Sequence, residues 1–330
     1  MFKNKLSLFL LIIFILSLFL IVYISKTLSA EKPNVTVVLK GLNSEYWELM
    51  EAGARKGFQD FGINGKVIAP SDGASVEEQG RFLKRVLMES PDSLIIAPIY
   101  TDYINPALED FAEQDIPVIL LDTDVSWEDK TSYVGTNNVE LGRRAGALLG
   151  SQLQPGNEVA ILGVDTYSPV ASDRIKGAKI SLQSVGIEIV AEGVDVSSEP
   201  LQVKEDLKTI LDEHPNLKGI IATNDGLALT AFHTIEDLGY KMPVIGTDGI
   251  NEMIELIEEE KLPGTVAQNP YDMGYLSVEA AMNVLNGKNV SKNIDSGVDI
   301  IIKGNAKQRF EFQERVQRLL INRWVNFRNN

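Results

Sequence analysis

The chain has 330 residues, 44% hydrophobic and 23% charged, and no cysteine; this is enough for two globular domains, and it excludes a disulfide framework, a thiolate metal site, a thiol nucleophile and a lipid-modified cysteine. The net charge of −15 is unevenly spread: residues 1–30 carry three lysines and no acid, residues 303–330 carry seven Lys/Arg against two Glu, and residues 31–302 therefore hold −23. A body this acidic repels nucleic-acid phosphate, so no nucleic-acid partner is expected.

Residues 6–25, "LSLFLLIIFILSLFLIVYIS", contain no charge. A helix of that length matches a bilayer core of roughly 30 Å. Lys3 and Lys5 precede it, which by the positive-inside tendency keeps the N-terminus cytoplasmic and the body outside. The rival reading is a cleavable signal peptide. Its apolar region usually runs about 7–15 residues and ends in an A-x-A-like site, whereas this run is longer and its best candidate site is Leu28, Ser29, Ala30. Residues 1–30 are therefore expected to be a retained transmembrane anchor, and both readings place the body outside the cytoplasm.

Beyond it, short runs rich in Val and Ile alternate with helical patterns. Strands are expected at 35–40, 66–70, 93–98, 117–122, 158–163, 187–191, 219–223, 243–247 and 263–267. Amphipathic helices fit between them, among them 45–61, 75–89, 138–152, 199–213, 225–238 and 270–286. Strands apolar on both faces imply parallel sheets covered by helices. Nine such units exceed one compact open sheet, so an α/β fold of two doubly wound parallel-sheet lobes is expected. His214 and His233, well separated, read as structural or solvated rather than as metal ligands. Residues 305–330 look helical, with Phe312, Val316, Leu319, Leu320 and Phe327 near one stripe and Arg315, Arg318 and Arg328 mostly off it. Such a helix either packs on its own body or lies on lipid headgroups or a membrane partner.

Ligands of doubly wound sheets bind at the carboxyl ends of the strands. Lys40, Asn43, Ser44, Tyr46 and Trp47 follow the first strand; Asp122 and Thr123 follow "PVILL"; Asn138 follows "SYVGTN"; Arg174 follows "VAILGV"; Asn224 and Asp225 follow "GIIAT"; Asp248 follows "VIGT"; Gln268 follows "GTVA". Asp and Asn at such junctions are often helix caps, a reading open to Asn224 and Asn137, and the alternative for Tyr46 and Trp47 is as core aromatics of the first helix. Jointly, aromatics beside Asp, Asn, Arg and Gln suit a sugar: rings cover its apolar faces and planar polar groups bond neighbouring hydroxyls.

At these residues the sequence resembles type I periplasmic solute-binding proteins, the ribose-binding-protein-like group that shares its fold with the ligand domains of LacI-type repressors. The motifs "LNSEYWELMEAGA", "DSLIIAPIYTDYINPAL", "IPVILLDTD", "VGTNNVELGRRAG", "SDRIKGAK", "IIATNDGLALTAFHTIEDLG", "PVIGTDG" and "GTVAQNPYDMG" carry it across roughly residues 34–303. The resemblance implies a three-strand hinge, a first lobe of 33–135 plus 269–297, a second of 136–268 plus 298–303, and a basic extension at 304–330. It also implies that Tyr46 and Trp47 stack on a sugar and that Asp122, Asn138, Arg174, Asn224, Asp248 and Gln268 bond its hydroxyls. Ser44 stands where ribose-binding relatives have Asn, and Thr123 where ribose-type sites have Arg. Lys40 stands where they have a small polar residue, a position at which autoinducer-2-binding proteins carry Lys. The expected ligand is accordingly another pentose, a hexose or a polyol, with Lys40 replacing the missing Arg.

The implied function is an extracytoplasmic sugar-binding protein that serves an ABC-type importer, without a cofactor. The alternative is a membrane-tethered sensor subunit that signals to a histidine kinase. An enzyme is disfavoured, since no G-x-G-x-x-G or G-x-x-x-x-G-K-[ST] motif and no His- or Cys-based nucleophile arrangement occurs. A repressor would carry a helix-turn-helix ahead of the body, where this chain has an apolar run.

Overall fold

The computed structural model describes residues 31–71, 75–99, 101–163, 168–195 and 200–328, together with Ser17. The expected membrane-spanning run lies outside these residues apart from Ser17; among the described residues no helix is long and apolar enough to cross a membrane.

The first half runs β1 (Asn34–Val38), α1 (Glu45–Phe61), β2 (Asn64–Ile68), α2 (Val76–Met88), β3 (Ser93–Ile96), α3 (Thr101–Ala112), β4 (Val118–Leu121) and β5 (Ser132–Gly135). The second half runs α4 (Asn138–Gly150), β6 (Glu158–Gly163), α5 (Pro169–Ser184), β7 (Glu188–Asp195), α6 (Pro200–Glu213), β8 (Leu217–Ala222), α7 (Asp225–Asp237), β9 (Val244–Asp248), α8 (Asn251–Glu258) and β10 (Thr265–Gln268). The chain then returns through α9 (Pro270–Leu285), β11 (Asn293–Asp295), β12 (Val298–Ile301) and α10 (Ala306–Arg328).

Two six-stranded sheets result, in the orders β2-β1-β3-β4-β5-β11 and β7-β6-β8-β9-β10-β12. All pairings are parallel except β10 with β12. The first five strands of each sheet repeat one doubly wound order, so each lobe has its own switch point, beside β1 and beside β6. Strand alternation feeds helical layers on both faces. In the first lobe Val35, Val37 and Leu39 pack with Met50, Ala54, Val278 and Ala281, while Val38 and Leu94 pack with Leu83, Leu108 and Phe111. In the second, Ala160 and Leu162 face Leu207, Leu211 and Phe232, while Val159 and Ile161 face Leu141, Ala145 and Leu182. The chain passes between lobes between β5 and α4, between β10 and α9, and between β11 and β12, which makes three adjacent crossings.

Three described strands lie outside the nine expected ranges, although a strand end is expected at "SYVGTN", which contains β5. β5 has four residues ending in Gly135, β11 has three largely exposed ones, and β12 is an antiparallel edge; each is too short to show a period. The C-terminal helix forms, and its inward face matches the expected stripe only in part, at Val316. Ala306, Gln313 and Val316 are buried, whereas Phe312 and Leu319 face outward. A polar residue, Gln313, occupies the centre of the buried face because hydrogen-bond partners await it there.

Candidate functional site

The cleft between the lobes collects the strand-end residues. Asp122 follows β4 and Asp248 ends β9, the corresponding fourth strands, and both have positive φ, 66° and 145°. Such angles are uncommon outside glycine, cluster at functional sites and hold a side chain away from the strand direction. Asp122 accepts from Tyr46 OH at 2.7 Å, Lys40 Nζ at 2.9 Å and Thr123 Oγ1 at 2.9 Å, and Lys40 also donates to Thr123 Oγ1 at 2.6 Å. Tyr133 OH donates to the Asp122 carbonyl at 3.1 Å, which braces the turn.

On the opposite wall Arg174, buried in the second turn of α5, donates to Asn138 Oδ1 at 2.9 Å, Thr223 O at 2.7 Å, Thr247 Oγ1 at 3.0 Å and Asp248 Oδ1 at 3.1 Å. Gln268, at the second crossing, joins the walls. Its Nε2 donates to Asp248 Oδ1 at 2.6 Å, and its Oε1 accepts from Thr136 Oγ1 at 2.8 Å and Tyr46 OH at 3.3 Å. The polar chain therefore runs unbroken from Lys40 to Asn138 across both lobes.

Tyr46 and Trp47 open α1. Their rings meet edge-on, centroids 5.1 Å apart, and Lys40 Nζ lies 5.6 Å from the Trp47 ring centre. Both are half-buried and touch the first lobe's core, as the core reading expects, while the Tyr46 hydroxyl also reaches Asp122. Ser44 is exposed and makes no side-chain capping bond. Asn224 lies apart from the network: its Oδ1 caps α7 through Leu227 N at 2.8 Å, so the bland reading accounts for its carbonyl group. Asn137 likewise caps α4 through Glu140 N at 3.1 Å.

A family model described as a periplasmic binding protein domain matches residues 35–289. The chain belongs to the periplasmic binding protein family. The ribose import binding protein RbsB of Bacillus subtilis is 29% identical over 272 residues, 81% of this chain and 87% of that protein. The D-ribose/D-allose-binding protein of Pseudomonas aeruginosa is 25% identical over 82% of this chain and 87% of its own length. Among solved structures, a solute-binding protein of Actinobacillus succinogenes with bound D-allose superposes at a TM-score of 0.76 with 25% identity, covering 84% of this chain and all of that one. A glucose-galactose binding protein of Geobacillus stearothermophilus superposes at 0.75 with 27% identity, covering 83% and 99%. The two-lobe fold is thus the type I periplasmic binding fold, and the chain is a binding protein rather than an enzyme.

The electrostatics of this periplasmic binding protein's cleft favour fixed donors and acceptors. Burial alone would raise Asp122, but Lys40's charge and the bonds from Tyr46, Lys40 and Thr123 hold its carboxyl below the ordinary value, so it stays ionised. Burial, with Asp122's charge beside it, keeps the Tyr46 phenol protonated and donating. Burial raises Asp248 against the pull of Arg174. Asp225, wholly buried behind Asp248, is pushed up to about 7 by burial and by Asp248's charge; it accepts from Gly249 N at 2.6 Å, Ile250 N at 3.0 Å and Thr265 Oγ1 at 2.8 Å. Sequence reasoning missed Asp225 as the anchor of that loop, and missed Thr136 and Thr247 as network members. Both threonines lie within two residues of chosen positions, but small hydroxyls at strand ends carry no distinctive pattern. Among the described residues no group of three or more acidic or histidine side chains is placed to hold a metal ion.

Proposed function

We propose that this is an extracytoplasmic sugar-binding protein that closes its lobes on a monosaccharide or polyol and presents it to an ABC-type importer. The observation that carries this reading is the polar chain Asp122, Tyr46, Gln268, Asp248, Arg174 across the cleft, with the Trp47 ring beside it. Charged planar groups form the stronger hydrogen bonds, and a ligand that touches both walls favours the closed arrangement. The relatives' names, which speak of ribose and allose, support a carbohydrate as the ligand class. Lys40, Ser44, Tyr46, Trp47, Asp122, Thr123, Asn138, Arg174, Asp248 and Gln268 line the ligand, with Asn224 offering its amide. Lys40 and Thr123 tune the choice of sugar. In this reading the first lobe comprises 33–135 plus 269–297 and the second 136–268 plus 298–303. On the same reading the uncharged run at 6–25 anchors the chain in the membrane with the body outside.

A second reading is that the chain is a tethered sensor subunit that reports closure to a histidine kinase. It is favoured by the uncharged run at 6–25 and by the basic segment beyond residue 303. Co-purification with a kinase rather than a permease supports sensing; the reverse supports uptake. For the sugar reading itself, a panel of pentoses, hexoses, inositol and autoinducer-2 is tested for thermal stabilisation, because a ligand that binds only the folded state raises Tm. One member is expected to raise Tm, and Lys40→Ala to reduce that shift. An unchanged shift in Lys40→Ala removes Lys40 from the site, and no shift from any member contradicts a sugar ligand.

A further inference from the structure

Helix α10 contributes no side chain to the proposed sugar contacts, yet its inner face grips the site from behind. It is rooted in the second lobe, where Ala306 is wholly buried and Phe310 packs on the core. Arg309 Nη2 donates to the Gln268 carbonyl at 2.6 Å and Nη1 to Asn269 Oδ1 at 2.9 Å, so it holds the second crossing. One turn on, Gln313 is 1% exposed, and its amide nitrogen donates to Glu45 Oε1 at 2.6 Å and to the Gly249 carbonyl at 3.0 Å. Gln317 reaches Glu48 Oε2 at 3.2 Å, and the Phe312 ring meets Tyr271 edge-on at 5.8 Å. The helix thus begins on one lobe and ends its described contacts on the other.

Its polar contacts fall on particular places. Glu45 adjoins Tyr46, Gly249 adjoins Asp248, and Gln268 is bound directly. Glu45 also accepts from Asn251 N, at the start of α8, at 3.1 Å. Glu45 belongs to the first lobe, and Gly249 and Asn251 to the second. A hinge rotation that opens the cleft separates them, so Gln313 loses one partner, and a buried polar group left unpaired is costly.

We propose that α10 is a strap whose docking favours closure of the lobes and is thereby linked to ligand affinity, with Gln313 as a positioning residue. This rests on the proposed closure on a sugar. Linkage is reciprocal, so the ligand must also tighten the strap.

The test uses the full chain. Because it has no cysteine, Lys84→Cys on α2 and Lys208→Cys on α6, both exposed, give one label per lobe. Inter-lobe distances are measured without sugar, and sugar affinity by titration, for the otherwise unaltered chain, for Gln313→Ala and for the surface pair Phe312→Ala with Gln317→Ala. Gln313→Ala is expected to shift the sugar-free distances toward the open form and to weaken affinity about tenfold, within the roughly 5–150-fold span of such couplings. The surface pair shifts both in the same direction, by less. Identical distance distributions in all three chains overturn the strap, whether or not any sugar binds. Shifted distances with no sugar bound by any chain sustain the strap as a closure device and overturn the sugar reading instead.

Discussion

Asp122 and Asp248 accept backbone angles that most side chains avoid, and each is held there by donors from its own lobe, Tyr133 and Arg174. Asp122→Asn leaves the Lys40 ammonium facing a neutral amide and weakens the bond from Tyr46. A hydrogen bond to a charged group contributes about 1.5–3 kcal/mol, so sugar affinity is expected to fall by roughly 10- to 150-fold, read by titration, with the fold retained by circular dichroism. Asp225 governs a different observable. Its folded value near 7 lies above its ordinary 3.8, so between those values the folded chain holds protons the unfolded chain has lost. Stability from this group is therefore greatest at the acidic end and falls as pH rises through that window, by at most about 1.4 kcal/mol per pH unit for one proton. Asp122 has the opposite sign, contributing above its ordinary value and losing that contribution only in stronger acid. Urea unfolding from pH 4.5 to 7.5 is expected to show declining midpoints, and Asp225→Asn a flatter profile; parallel profiles contradict this role.

At the scale of elements, the two walls are set by helix pairs that touch backbone to backbone. A Cβ at Gly142 on α4 would lie 2.0 Å from the Arg174 carbonyl oxygen, and one at Gly177 on α5 would lie 2.0 Å from that of Val139. That contact brings Asn138 within 2.9 Å of Arg174. Gly142→Ala must push α5 outward, which costs about 1–3 kcal/mol by the usual measure of overpacking, and it should weaken sugar binding because Arg174 moves. Gly150→Ala, at the far end of the same helix, meets only a Val185 methyl at 3.1 Å and is expected to leave affinity unchanged. Equal effects of the two on affinity contradict this account. The helices and the central strands were legible because they are long or apolar on both faces, as with α1 and β6. β11 and β12 were not, since a three-residue polar edge and a four-residue antiparallel strand hold no period. The strap's inner face was read only in part for a related reason: hydrophobic spacing gave Val316 correctly but also favoured Phe312 and Leu319, while the buried centre is Gln313, whose partners lie 268 and 64 residues away in sequence.

For the whole molecule, two repeats of one strand order form two lobes joined by three crossings, and the proposed closure is a hinge motion about those crossings. Most strand-end positions of the candidate site could be read from that logic alone, because ligand groups concentrate where parallel strands stop. Which of them bond one another could not, since Tyr46 and Gln268 are 222 residues apart. Asn224 shows the limit from the other side, as its residue type fits a cap and a ligand group equally. The measurement that bears most directly on this account is calorimetric titration of the chain with pentoses, hexoses, inositol and autoinducer-2, repeated with Trp47→Ala and with Asp248→Asn. The account predicts one sugar bound at a single site in the micromolar range, with affinity reduced at least tenfold by either substitution, one acting from each lobe. Binding that survives both substitutions, or no binding by any of these compounds, would contradict it.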